Sequence, residues 1–276
     1  MIDKLLEFAK QAGQVALDMQ SKVDFYSSDK KSDSVADVVT QADLAISRML
    51  YEFIQSEFAD LDYIIVEEES EAELGDNPME KIHAHEYAFI VDPIDGTLSY
   101  SIDMPFWGIS IGVYKNQKPY CAVIYMPALN ELIWADEKSV HLVKNPWTEK
   151  EVSRELKPAS APPAPVLAFK AYHMNLTSAY DKKTMKVYDY PCIVLKAVNA
   201  AIGRSTGAVI HPVNIWDLAG PIVIAERMGA SVRYLSDGRQ FDLFSDIVYE
   251  HFWHDPIIVC HPEYFEMFQK ILEVRK

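Results

Sequence analysis

The chain has 276 residues, of which 49% are hydrophobic and 12% aromatic, ample for a large buried core in one domain or two closely joined halves. Its 41 acidic residues outnumber 26 basic ones, giving a formal net charge of -15. A field of that sign repels nucleic acid and anionic membrane, which excludes both as direct partners, and it leaves a phosphorylated substrate approachable only through metal cations.

The first residues, "MIDKLLEFAKQAGQVALDMQ", are interrupted by Asp3, Lys4, Glu7 and Lys10 and lack the apolar region of a signal peptide. No stretch approaches the ~20 apolar residues of a membrane span. The three cysteines, Cys121, Cys192 and Cys260, lie far apart with no CxxC pair and read as reduced, buried thiols. The expectation is a soluble, cytoplasmic protein.

In chain order, Leu5, Phe8, Ala9, Ala12, Val15, Ala16 and Met19 recur at helical spacing and predict an amphipathic first helix. The polar stretch Ser27, Ser28, Asp29, Lys30, Lys31 reads as a mobile loop. A second helix is predicted from near Thr40, with Leu44, Met49, Leu50, Phe53 and Ile54 on its apolar side. The runs "DYIIV", "YAFIV", "FWGISIGVY", "YCAVIYM" and "ELIWADE" predict an antiparallel sheet in the first half, residues 1–147. The charged, then Pro/Ala-rich stretch Asn145 to Val166 is the candidate hinge. Beyond it, in residues 164–276, "VLAFKAY", a helix through Leu195 to Ile202, "TGAVI", a helix from about Asp217 to Met228, "SVRYL" and "PIIVC" alternate strand and helix, predicting a layered α/β half.

The acidic residues carry the chemistry. In "FIVDPIDGT" an apolar strand delivers Asp92 and Asp95 to a strand end, where Pro93 extends the residue before it and Gly96 permits a sharp turn. Crowded carboxylates resist ionisation unless a cation sits between them, so this reads as half of a metal site rather than a pair of turn formers. The N–H groups of Gly96 and Thr97 then open a helical turn suited to phosphate oxygens. Glu67, Glu68 and Glu69 follow the strand "DYIIV", placing at least one carboxylate at a second strand end. Asp43 reads either as the N3 partner of Thr40 in a capping box or as a site residue, and Asp217 either as a helix cap or as a site residue. His251, His254 and Asp255 in "HFWHD" have no further ligand at a familiar spacing and read as surface or packing residues.

Together "VVTQAD", "EEES", "DPIDGT" and "WDLAG", in this order, resemble the Mg²⁺-dependent, lithium-sensitive phosphatases typified by inositol monophosphatase. Pro105 and the Ser110-Ile111-Gly112 tract are similar to the inositol phosphatases more than to their nucleotidase relatives. The resemblance implies a single phosphatase domain with a layered αβαβα sandwich, α+β in class, of the inositol monophosphatase and fructose-1,6-bisphosphatase type, commonly a homodimer. It implies that Glu68, Asp92, the Ile94 carbonyl, Asp95 and Asp217 hold two or three Mg²⁺ ions. It further implies that Glu68, Asp43 and Thr97 serve the attacking water, and that Asp95, Gly96, Thr97 and Asp217 contact substrate and phosphate. The expected reaction is in-line attack by metal-activated water on a small phosphate monoester, without a phospho-enzyme.

Three departures leave the substrate open. Ile210 stands where the inositol phosphatases carry a glutamate for the sugar hydroxyls. "CIVLKAV" replaces a small-residue stretch, and its Lys196 either faces the ligand or lies on a helix surface. "DEKSVHLVKNP" replaces a Gly-rich turn, and the loop lysine before Asp43 is either Lys30 or Lys31. Inositol phosphates, sugar phosphates or bisphosphates, and nucleotide 3'-phosphates all remain. The resemblance also admits a largely non-catalytic regulatory partner of a transcription or ribosome-assembly complex, docking on a basic protein.

Overall fold

In the computed structural model, which describes residues 1–21, 41–70, 78–158, 166–169, 174–211, 214–246 and 255–274, the helical spacing near the start becomes α1 (Ile2–Gln20), burying Leu5, Phe8, Ala9, Ala12 and Ala16. Helix α2 (Gln41–Glu57) packs beside it, with the Phe8 and Phe53 rings 5.0 Å apart. Its fully buried stripe is Ala42, Ile46, Leu50 and Ile54, whereas Leu44, Met49 and Phe53 are only half-buried.

The first sheet has seven strands in sequential order: β1 (Tyr63–Glu67), β2 (Tyr87–Asp95), β3 (Gly108–Lys115), β4 (Lys118–Met126), β5 (Glu131–Ala135), β6 (Val140–Lys144) and β7 (Val152–Leu156). All neighbours pair antiparallel except β1 and β2, which run parallel with Glu67 opposite Val91. That corrects the expected all-antiparallel sheet. The chain returns through a short helix, α3 (Pro78–His83), as a crossover between parallel strands requires. Strand β7 falls inside the stretch expected to be a hinge. Its residues Val152 to Glu155 are exposed, as suits a polar edge strand, so periodicity did not reveal it.

The second sheet has the order β10 (Lys186–Tyr188), β8 (Val166–Ala168), β11 (Gly207–Ile210), β13 (Ile257–Cys260), β12 (Ser231–Tyr234). A small ribbon joins β9 (Met174–Leu176) to β14 (Leu272–Val274). The remaining helices are α4 (Thr97–Ser101), α5 (Ile193–Ala201), α6 (Ile215–Arg227), α7 (Leu243–Asp246) and α8 (Phe265–Ile271).

Alternating side chains on each strand define the layers. On β2, Phe89 and Val91 pack with α1 and α2, while Ala88 and Ile90 face the core shared with α5 and α6. On β13, Ile257 and Val259 close that same central core, and Ile258 and Cys260 pack on the other side with Phe268 of α8. The order is therefore helices, sheet, helices, sheet, helix: the layered αβαβα sandwich. Within it α6 lies directly on β3. A Cβ on Gly112 would sit 2.6 Å from the Ala219 carbonyl carbon, and the Tyr114 hydroxyl donates to the Ala219 carbonyl at 2.9 Å. This close seat fixes where α6 delivers its first turn. Across the halves, buried Glu131 on β5 accepts from Arg204 Nη2 at 2.8 Å and also pairs with Lys144.

Candidate active site

Parallel pairing of β1 with β2 brings their carboxyl ends to one edge of the first sheet. Glu67 ends β1 opposite Val91, so Glu68 and Asp92 emerge side by side. The ladder between β2 and β3 slips between Asp92 and Asp95, where Pro93 and Ile94 form the irregularity that lets both aspartates leave at that edge. Gly96 follows with φ 88°, and a Cβ there would lie 2.6 Å from the Phe106 carbonyl oxygen, so both conformation and space call for glycine. The Thr97 hydroxyl donates to the Ile94 carbonyl at 3.1 Å, holding the turn closed.

Asp217 arrives from the first turn of α6. One oxygen of Asp92, of Asp95 and of Asp217 all lie within 4.8 Å of one another. The Asn214 N–H donates to Asp217 Oδ2 at 2.8 Å, so this residue both caps its helix and joins the cluster, and the two sequence readings hold together. Asp92 is 2% exposed, and its Oδ1 has no hydrogen-bond partner. Burial, then the charges of Asp95, Asp217, Glu68 and Asp43, push the Asp92 carboxyl well above its ordinary value. Burial likewise raises Asp95, against the pull of hydrogen bonds from Cys192, Val194 and Ile193 and the charge of Lys196.

Glu68 stands outside the three-aspartate cluster but inside its field. Desolvation, with Asp43, Glu69, Asp95 and Glu67, pushes its carboxyl up to about 7; its side chain keeps an exposed outer edge, where solvent screens part of that crowding. Glu67 is the fully buried member of the run. Its Oε1 accepts from Ser47 of α2 at 3.0 Å and its Oε2 from the Glu69 N–H at 2.9 Å, a supporting role that charge spacing alone does not reveal. Asp43 is 2% exposed in the first turn of α2 and close enough to raise Glu68. Thr40, its capping-box partner in the sequence, lies outside the described residues, as do Lys30 and Lys31.

Helix α5 supplies what the sequence did not foretell. Lys196 is 1% exposed, not on a surface, and its Nζ donates to Asp189 Oδ1 at 2.9 Å. Cys192 caps the helix and touches Asp95. Ile210 is fully buried in β11 within the central core, so the position carries no polar group toward a ligand. The "DEKSVH" stretch forms a tight turn in which Asp136 Oδ1 accepts from the N–H groups of Lys138 and Ser139, both at 2.7 Å. His251 and His254 lie outside the described residues, and Asp255 accepts from Ser236 at 3.0 Å. Among the described residues no helix is long and apolar enough to cross a membrane.

Such an arrangement, two buried carboxylates and a half-buried third beside a glycine turn at a sheet edge, suits a divalent cation and a phosphate. Comparison with known proteins gives the family. The model of the inositol monophosphatase family matches residues 1–261. The chain is 26% identical over 216 residues to a fructose-1,6-bisphosphatase/inositol-1-monophosphatase of Thermotoga maritima, covering 78% of each protein. It is 27% identical over 250 residues to inositol monophosphatase 3 of Solanum lycopersicum, covering 88% of each. In fold it resembles the solved structure of an IMPase/NADP phosphatase complexed with Mg²⁺ and phosphate, with TM-score 0.73 and 19% identity, over 98% of this chain and 94% of that one. The chain belongs to the inositol monophosphatase family and is an enzyme, a phosphoric monoester hydrolase.

Proposed function

We propose that this enzyme hydrolyses a small phosphorylated metabolite, of the inositol-phosphate or sugar-phosphate kind, using Mg²⁺ held by Glu68, Asp92, the Ile94 carbonyl, Asp95 and Asp217. The observation that supports this reading most is Asp92: a buried carboxylate with one oxygen lacking a hydrogen bond, in a trio of aspartates whose oxygens lie within 4.8 Å of one another. A buried charge left this way is costly unless a cation neutralises it. Among the described residues the cluster offers carboxylate oxygens and no imidazole or thiolate, which suits Mg²⁺ over Zn²⁺.

A pair of divalent ions neutralises phosphoryl charge and acidifies water when bound at such a site. The chain's own residues do the rest. The Gly96 turn presents the N–H groups of Gly96 and Thr97 to phosphate oxygens. The Thr97 hydroxyl spends its proton on the Ile94 carbonyl, leaving its oxygen lone pairs to accept a hydrogen bond from the attacking water. Asp43, beside Glu68, orients that water from the α2 side. The buried Ile210 side chain offers no acceptor for a ring hydroxyl, so an inositol or sugar phosphate is held chiefly through its phosphate. The relatives named fructose-1,6-bisphosphatase/inositol-1-monophosphatase and IMPase/NADP phosphatase fit that breadth. Lithium sensitivity, a homodimer and a cytoplasmic location belong to the same reading, the last supported by three free, buried cysteines.

The test is phosphate release from a panel of inositol phosphates, sugar phosphates and nucleotide 3'-phosphates, with and without Mg²⁺ and Li⁺. Release that requires Mg²⁺ and falls with Li⁺ is expected. Equal release in the presence of a chelator contradicts the proposal.

A further inference from the structure

Asp95 is held differently from its neighbour. Its Oδ2 accepts from the Cys192 thiol at 2.6 Å and from the Val194 N–H at 2.6 Å, and its Oδ1 from the Ile193 N–H at 3.3 Å. Those three donors occupy three of the roughly four lone-pair sites of a carboxylate. The thiol is the only side chain among them, and it sits in a fixed frame. Cys192 is 1% exposed, its Sγ accepts from the Leu195 N–H at 3.3 Å as the cap of α5, and its Cβ lies 3.3 Å from where a Cβ on Gly96 would stand. The sulfur thus bridges the first turn of α5, the Gly96 turn and the Asp95 carboxylate.

We infer that Cys192 is a positioning residue: its thiol pins Asp95 Oδ2, fixing the carboxylate plane so that the remaining lone pair on Oδ1 is turned to the cation. The inference rests on the reading of Asp95 as a metal ligand. Groups that orient a ligand in this way are worth about 10–100-fold in metal affinity or activity. With two backbone donors remaining, removal of the thiol belongs near the lower end of that range.

The experiment is Mg²⁺ titration by calorimetry of the wild-type chain, Cys192→Ala and Cys192→Ser, with melting temperatures recorded in chelator. Cys192→Ala is expected to weaken Mg²⁺ about tenfold. Its turnover is expected to recover at saturating Mg²⁺, so the defect lies in metal affinity. Cys192→Ser keeps a donor with a shorter reach and is expected to recover most of the affinity at an unchanged metal-free melting temperature. Wild-type affinity in Cys192→Ala overturns the inference, as does a serine variant no better than alanine. Absence of Mg²⁺ binding in the wild-type chain overturns the metal-site reading itself, a result distinct from either of these.

Discussion

The carboxyl ends of β1 and β2 and the first turn of α5 meet at Asp95, and they are built on opposite terms. On the strand side, burial and the charges of Asp95 and Asp43 raise the proton affinity of both Asp92 and Glu68, and Asp92 Oδ1 is left without a hydrogen bond. On the helix side, N–H groups, a thiol and the buried Lys196 ammonium all favour negative charge on Asp95. One aspartate is anchored while its neighbour is left wanting a cation. A fold selected for stability alone would satisfy both, so the unsatisfied side marks where binding energy is held in reserve.

Breaking the strand side has the largest expected effect. Asp92→Asn removes charge from the cluster and should lower turnover roughly 10²–10³-fold, as the loss of one electrostatic stabiliser does. Its metal-free melting temperature should not fall below wild type, because repulsion is relieved. In the wild-type chain, Mg²⁺ at 100 times its Kd contributes about 2.7 kcal/mol, or about 5 °C for a chain of this size; Asp92→Asn should lose most of that gain. Normal activity in the variant contradicts the assignment.

A subtler effect concerns pH. Glu68, Asp92 and Asp95 hold protons more tightly in the metal-free fold than in the unfolded chain. The folded state therefore binds more protons, and its stability falls as pH rises from the ordinary Glu value of 4.5 towards about 7. Melting scans in chelator should show this decline, and Mg²⁺ should flatten it. A metal-free melting temperature that climbs across the window contradicts the crowding.

The smallest effect sharpens the helix side. Lys196 is 1% exposed but its partner Asp189 is 52% exposed. Asp189→Asn weakens the pairing of a buried ammonium and should cost about 1–3 kcal/mol. Lys196→Met leaves Asp189 in water, removes a favourable charge near Asp95 but also the desolvation of a buried ammonium, and should cost less than about 1 kcal/mol. Denaturant unfolding of both variants reads the order, and the reverse order contradicts the burial of Lys196.

The strand side was legible in the sequence because its signals are local. An apolar run ending in "DPIDGT" fixes a strand, a turn and two carboxylates at once, and "WDLAG" places Asp217 on a helix start. The parallel pairing of β1 and β2 depends on a crossover, which residue spacing in either strand does not encode. Strand β7 escaped because an edge strand in water needs no apolar alternation. Of the two readings open for Lys196, the helix-surface one falls: eight of the nine residues of α5 are buried, and a helix that is mostly apolar all round lies between layers. The Cys192 contact with Asp95 joins residues 97 positions apart and has no local signature.

The most direct test of the shared-cation account is crystallography with Mn²⁺ in place of Mg²⁺, read by anomalous scattering. Peaks bounded by the carboxylates of Asp92, Asp95 and Asp217, with Glu68 at their edge, are predicted. An active enzyme whose anomalous peaks lie elsewhere, or are absent at these aspartates, contradicts it.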